Sequence, residues 1–238
     1  MNITFKLLLL CSFAFAGLHA EKKQVSFRGN AYDAKSGKFL YSENHTEYYR
    51  DGKHHHSVVL YRARGGKILV RKYITFAYSK TKPSYTLKDK RDGYLERVRN
   101  KGKVLQVQFQ KNRKQSLKSE NIKNTWDTVV DGGFDYYIRQ NWDKIVKSPR
   151  KFLFVAPSQQ DSFRFRISYV KRLKYKGSDC AKFEMVLSNA MLRLLVKPIT
   201  LYYTVSDRRL KGYRGISNIN DSKGKSYFVN IVFSYPKS

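Results

Sequence analysis

Three consecutive histidines, His54-His55-His56, are the residues of this 238-residue chain best suited by type to hold a metal ion, because neutral imidazole is the commonest transition-metal ligand. On a β-strand only alternate residues share a face, so His54 and His56 would point together. If the chain turns back at Asp51 to Lys53, Tyr48 lies opposite His56 and Arg50 opposite His54. That arrangement delivers no third ligand and brings a cation close, so the spacing predicts a solvated strand end, with no metal and no cofactor.

Asp127, Asp131 and Asp135 fall four apart, and neighbouring carboxylates can divide acid and base duties when their surroundings separate their pKa values. Asp131 stands just before an apolar pattern of helical spacing, where a carboxylate caps free backbone N–H groups and complements the helix dipole. Capping accounts for it. The other use of Asp131-Gly132-Gly133, a glycine loop that takes an anion at a helix N-terminus, is opposed by the carboxylate already there. Cys180 would need a cationic or histidine neighbour to become a nucleophile, and the adjacent Asp179 acts the other way. It reads as a strand residue. No G-x-S-x-G elbow, H-E-x-x-H helix or Walker loop occurs. The expectation is therefore a protein that binds and is not an enzyme; a catalytic reading would need the aspartates, or tyrosines and arginines, to meet in a cleft.

Binding chemistry is densest from Phe183 to Ser217. Met185, Leu187, Met191, Leu192, Leu194, Leu195, Val196 and Ile199 concentrate aliphatic surface, Arg193 lies among them, and Arg208, Arg209, Lys211 and Arg214 follow. Apolar surface bordered by guanidinium suits an amphiphile with an anionic head, while the same run also reads as core with Arg193 turned outward. On the ligand reading, the head would meet Arg164, Arg166, Arg193, Arg208, Arg209 and Arg214.

Alternating strands must position these groups. From Asp161 to Tyr175 one face reads Phe163, Phe165, Ile167, Tyr169, Leu173, Tyr175, and the other Arg164, Arg166, Val170, Arg172, Lys174, a period of two. The turn Lys176-Gly177-Ser178 returns the chain into Cys180 to Asn189, and Tyr227 to Tyr235 repeats the alternation. Earlier, 25–34, 39–50, 57–64, 67–78, 85–90, 94–99 and 103–110 are separated by glycine turns, a meander of hairpins. One segment breaks the pattern: Phe134, Tyr137, Ile138, Trp142 and Ile145 fall three or four apart and predict a helix near 133–147, stopped by Ser148-Pro149. A second short helix or irregular apolar piece is expected at 190–196. The whole predicts about eleven antiparallel strands in one domain over 21–238.

Ahead of that domain, residues 1–20 place Lys6 before an apolar run to Leu18, with small residues at Ala16 and Ala20. This reads as a secretory signal cleaved after Ala16 or Ala20, and the run is too short to span a bilayer. Cys11 follows the bulky Leu10, a poor fit to a lipidation site. Removal of the leader leaves Cys180 without an intramolecular disulfide partner, so the core must hold the fold. A periplasmic or secreted location is expected. The net charge is +30; export turns the expected polyanion from nucleic acid to anionic lipid, peripheral membrane surface or acidic envelope polymer. Lysines spread along the whole chain also fit a compositional drift with no partner behind it.

The segments Val129-Val130-Asp131-Gly132-Gly133-Phe134, Ser188-Asn189, Leu194-Leu195-Val196 and Tyr213-Arg214-Gly215-Ile216-Ser217-Asn218-Ile219, behind a leader, resemble uncharacterised exported β-rich proteins of gammaproteobacteria. That resemblance covers the last half of the chain and implies compartment and lineage, but no site. The strand pattern with helices on one side is also similar in architecture to the half-barrel of periplasmic lipoprotein carriers. It implies a concave apolar face for acyl chains under a helical lid. The expectation is a mainly β, curved antiparallel sheet or half-barrel, working as a non-enzymatic periplasmic binding protein for a lipid or other acyl-bearing anionic ligand. The competing expectation is a structural protein that adheres to acidic cell-wall polymer or membrane through distributed charge.

Overall fold

In a computed structural model the chain is described at residues 22–193 and 196–236. The expected leader, with Cys11, and Leu194 and Leu195 of the apolar run lie outside these residues.

Alternation along the sequence becomes alternation across one curved sheet. The first seven strands form the expected meander and an eighth extends it: β1 (Lys22–Asp33), β2 (Phe39–Arg50), β3 (Lys53–Arg62), β4 (Ile68–Thr75), β5 (Ser84–Asp89), β6 (Leu95–Asn100), β7 (Val104–Gln110) and β8 (Lys118–Lys123). After the two-residue β9 (Thr128–Val129) come α1 (Phe134–Gln140) and α2 (Trp142–Lys147). The second meander is β10 (Arg150–Ala156), β11 (Asp161–Tyr175), β12 (Ser178–Leu187), β13 (Ile199–Thr204), β14 (Leu210–Asn220) and β15 (Ser226–Ser234), with the short α3 (Ala190–Arg193) between β12 and β13.

All fifteen strands share one sheet in the order β8 through β1, then β15 through β9. The first and last strands are thus neighbours in its middle, with Arg28 opposite Ser234 and Asp33 opposite Val229. Both Asp51-Gly52 and Lys176-Gly177 have positive φ at two successive residues, the geometry that lets a two-residue hairpin follow the strand twist.

Two expectations are corrected. The sheet has fifteen strands where about eleven were expected, because β8, β9, β10, β13 and β14 gave no period-two signal. β8 is polar and largely exposed on both faces, and β13 and β14 lie in the stretch read above as apolar and arginine-rich. The sheet is also mixed, since β9 runs parallel to β10. The helical segment breaks at Asn141 into two helices, yet it buries the expected Ile138, Trp142 and Ile145.

Two hydrophobic clusters fill the concave side. One gathers Tyr41, Val59, Tyr61, Leu87, Val98, Leu105, Val229 and Phe233 from the first meander and β15. The other gathers Ile138, Trp142 and Ile145 against Phe152, Phe183, Leu201 and Tyr203; Leu210 and Tyr213 pack on both. A 3-10 turn, Pro157–Gln159, follows β10 and packs on β6 and β7, so the far end of the second meander curls round to touch the first. The outer strands are blunted as edges are expected to be: β8 carries Lys118, Glu120 and Lys123, and β9 is very short. No described helix is long and apolar enough to cross a membrane.

Candidate functional site: the concave cavity

The sheet wraps around a cavity of about 1010 Å³ lined from β1–β6 and β10–β15. Inward positions of nearly every strand supply its wall: Phe27 from β1, Val59 and Tyr61 from β3, Phe163 and Phe165 from β11, Met185 and Leu187 from β12. Phe134, Asp135, Tyr136 and Arg139 of α1 close one side.

Charged groups interrupt this apolar wall, and each sits in register with the apolar residues around it. On β4 the buried positions are Val70, Lys72 and Ile74. Lys72 Nζ donates to Asp131 Oδ2 at 2.5 Å and lies 4.9 Å from the Tyr85 ring centroid; Asn218 donates to the same carboxylate at 2.7 Å. Burial pushes the Asp131 carboxyl up, but the Lys72 charge and these hydrogen bonds outweigh it and hold it below the ordinary value. The expected capping role is overturned: Gly133 occupies the N-cap of α1 without a side-chain hydrogen bond, and Asp131 turns into the cavity because Lys72 draws it there.

Glu96, between Tyr94 and Val98 on β6, accepts from Tyr94 and, at 3.1 Å, from Tyr85. Burial raises its pKa. Glu47 accepts from Tyr49 at 2.7 Å, and burial raises its pKa as well. Asp135 pairs with Arg139 at 3.3 Å, with burial again the largest influence and an upward one. The three expected aspartates therefore part company: Asp127, opposed by burial but lowered by hydrogen bonds from Thr125 and Arg164, does not line the cavity.

The histidines divide for a reason the register makes plain. A shift between Tyr48 and Tyr49 sets Tyr48 opposite His56 as expected, but Tyr49 opposite His54, and Arg50 opposite Lys53. The bulge reverses the facing of His54. It is buried at 6% exposure, not on a solvated strand end, with Nδ1 2.7 Å from Tyr136 Oη and Nε2 2.8 Å from Ser57 Oγ. Burial, and then the charge of Lys80, lower its pKa to about 4. His55 and His56 stay at the surface side, their ring nitrogens 3.0 Å apart. Among the described residues no group of three or more His, Cys, Asp or Glu is arranged to hold a metal. Cys180 is a buried strand residue, its thiol pushed up by burial and then by Asp179.

Of the six arginines expected at a ligand head, only Arg209 lines the cavity, lying 5.2 Å from the Tyr235 ring centroid. Arg164 pairs with Asp127 at 2.8 Å. Arg166 alternates with the inward Phe165 and Ile167 and so faces the convex side. Arg193 donates to the carbonyls of Leu187 and Ser188. Arg208 pairs with Asp143 and stacks on Trp142, and Arg214 donates to Asn230 at 2.9 Å on the outer face. The chain's basic charge is thus mostly outside. The inner cations are Lys23, Lys72, Arg139 and Arg209. Of the apolar run, Met185, Leu187, Val196 and Ile199 do face the cavity, while Met191 is 79% exposed.

Sequence reasoning passed over Glu43, His45, Glu47, Lys72 and Glu96. Their signal was a polar residue in an inward register position, such as Lys72 between Val70 and Ile74.

No protein-family model and no curated protein sequence matches the chain. Among solved structures, a β-barrel-like protein of domain of unknown function DUF1849 from Brucella abortus is similar at a TM-score of 0.47 and 7% identity, over 90% of this chain and 95% of that one. A DUF1329 family protein from Desulfovibrio piger is similar at a TM-score of 0.30 and 10% identity, over 90% of this chain and 84% of that one. Likenesses this distant carry no conclusion about function or lineage.

Proposed function

We propose that this protein is an exported, non-enzymatic binding protein that holds the acyl part of an anionic, lipid-like ligand in its concave cavity. The observation that carries this reading is the cavity itself: about 1010 Å³, the size range of small-molecule sites, walled by aromatic and aliphatic side chains from both meanders. A cavity of that size walled by apolar side chains gains free energy when an apolar chain displaces its water. The ligand head belongs near Lys23, Arg139 and Arg209, which sit with His54 and Tyr235 where the β2–β3 and β13–β14 turns and the start of β1 meet. This replaces the six-arginine arrangement by a smaller set of cations, one of which, Arg139, is already paired with Asp135.

The test is native mass spectrometry of the protein recovered from a bacterial periplasm, with lipid extraction in parallel. A discrete added mass identified as an acyl-bearing molecule is expected. It should be absent from an Ile199→Trp variant, whose larger ring would occupy the lining position of Ile199. A clean apoprotein mass in both would sink the reading. The outward placement of Arg164, Arg166 and Arg214 favours a second reading, adhesion to an acidic envelope polymer by distributed charge. High salt separates the two, since adhesion by exposed charge is lost as the Debye length falls to about 3 Å at 1 M, while an enclosed acyl chain stays bound.

A further inference from the structure

At the end of the sheet where the ligand head is placed above, three connections are tied together. The β4–β5 connection, 76–83, receives a hydrogen bond from Val130 N to Thr81 O at 3.0 Å, and its Lys82 Nζ donates to Thr125 O at 2.7 Å. The β6–β7 turn is bound to both: Asn100 donates to Lys82 O at 2.8 Å, Asn124 N donates to Lys103 O at 3.0 Å, and the Asn124 amide donates to Gly102 O. The tie leaves two large aromatics outside. Trp126 is 90% exposed and Tyr78 is 77% exposed, and neither has a ring or hydrogen-bond partner among the described residues.

Charge accompanies them. Lys101, Lys103 and Lys123 are exposed on these connections, and segments 76–83, 100–104 and 121–126 contain no Asp or Glu. The same loop forms the cavity rim: Phe76 lines the cavity, and Lys80 donates to His54 O and lies 5.6 Å from the Tyr136 ring centroid.

We propose that this rim, through Tyr78 and Trp126 with Lys101, Lys103 and Lys123, docks the protein on an anionic lipid bilayer. Indole and phenol rings prefer the boundary between headgroups and acyl chains, where one edge is apolar and the other wet. Lysines beside them are attracted by the negative surface potential. The pairing of the two on rigidly joined loops is what a bilayer surface recognises. Docked this way, the cavity rim faces the membrane. The proposal goes beyond the cavity's contents and does not depend on them.

Tryptophan fluorescence tests it. The chain has two tryptophans, so Trp142→Phe, which keeps an aromatic ring against Phe183 and Tyr203, leaves Trp126 as sole reporter. With vesicles of phosphatidylglycerol and phosphatidylcholine its emission should shift to the blue and be quenched by brominated acyl chains; with phosphatidylcholine alone it should not move. Replacing Lys101, Lys103 and Lys123 by Gln should weaken vesicle binding about a hundredfold, given the contribution of each lysine at an anionic surface. Should Trp142→Phe not fold, co-sedimentation of the Tyr78→Ser, Trp126→Ser variant replaces it, with loss of binding expected. Unshifted emission on vesicles that do bind the chain, or vesicle affinity unchanged in the serine variant, overturns the proposal. So does a shift produced only by a protein fraction. Ile199→Trp should dock normally, so failure of the cavity reading and failure of docking are read separately.

Discussion

Removing the carboxylate from Asp131 should expose how much the interior ion pair holds the cavity wall in place. Lys72 keeps only 5% of its side-chain exposure and Asp131 26%. Breaking a buried pair from one side leaves the other charge without its partner, at a cost of about 3–5 kcal/mol. The partial exposure of Asp131 and the nearby Glu96, whose titration feels the Lys72 charge, reduce this to about 2–3 kcal/mol for Asp131→Asn at neutral pH. Lys72→Met should cost about 1–2 kcal/mol, because Asp131 keeps its hydrogen bond from Asn218. The double variant should then lie within about 1 kcal/mol of the parent, for a coupling of about 3 kcal/mol. Equilibrium urea unfolding of the four proteins measures the cycle. The acid side gives an independent check. Because the folded pKa of Asp131 is lowered from 3.8, its stabilisation is present above pH 3.8 and is lost as pH falls through the folded value. Asp131→Asn should lack that loss. Single-variant costs below about 0.5 kcal/mol, or a double cost equal to their sum, would refute the view of this pair as a buried, mutually dependent contact.

Two further outcomes follow from other interior groups. His54, lowered from 6.5 to about 4 by burial and Lys80, contributes stability that is complete above pH 6.5 and is lost as pH falls from there toward 4, about 3 kcal/mol in all. His54→Asn should flatten that decline in urea midpoints between pH 7.5 and 4.5. Glu47, Glu96 and Asp135, all raised, act in the opposite direction, and the difference between parent and variant isolates the histidine. The Cys180 thiol should ignore a water-soluble thiol reagent in the native protein and react in denaturing urea; rapid native reaction would show that β12 opens locally.

How far the sequence foretold all this depends on where each signal lived. The hairpins with glycine turns, and the helix face at Ile138, Trp142 and Ile145, were visible because local rules write them. β8 was invisible because an edge strand needs no apolar face. β13 and β14 were hidden because their sequences do not alternate cleanly: β13 runs Leu201, Tyr202, Tyr203 across both faces, and Gly212 and Gly215 interrupt β14. His54 was misplaced by one extra residue, His55, which bulges out of the pairing between Tyr48–His56 and Tyr49–His54, a feature of the strand pair that the histidine spacing does not show. The arginines were read as a site because guanidinium beside apolar residues looks like a ligand head. On a strand, that same neighbour relation puts Arg164 and Arg166 on the opposite face from Phe163 and Phe165. The pairing of Lys72 with Asp131, far apart in sequence, could not be read from spacing at all.

The pairing of β1 with β15 puts the two ends of the described chain at the seam between the half-sheets, and that governs how the protein is born. β1 is complete at residue 33, and its partner begins only at residue 226. At about 5–20 residues per second of synthesis, roughly 10–40 s pass with a strand edge waiting. Each meander can zip from its own hairpins, but the vessel they form together exists only after the last segment slides in. A chain cut short before Ser226 would leave the two half-sheets unpaired at β1, whereas a permuted chain, with its ends fused across the seam and reopened at the β8–β9 connection, would make the two seam strands neighbours in sequence and let the seam close midway through synthesis.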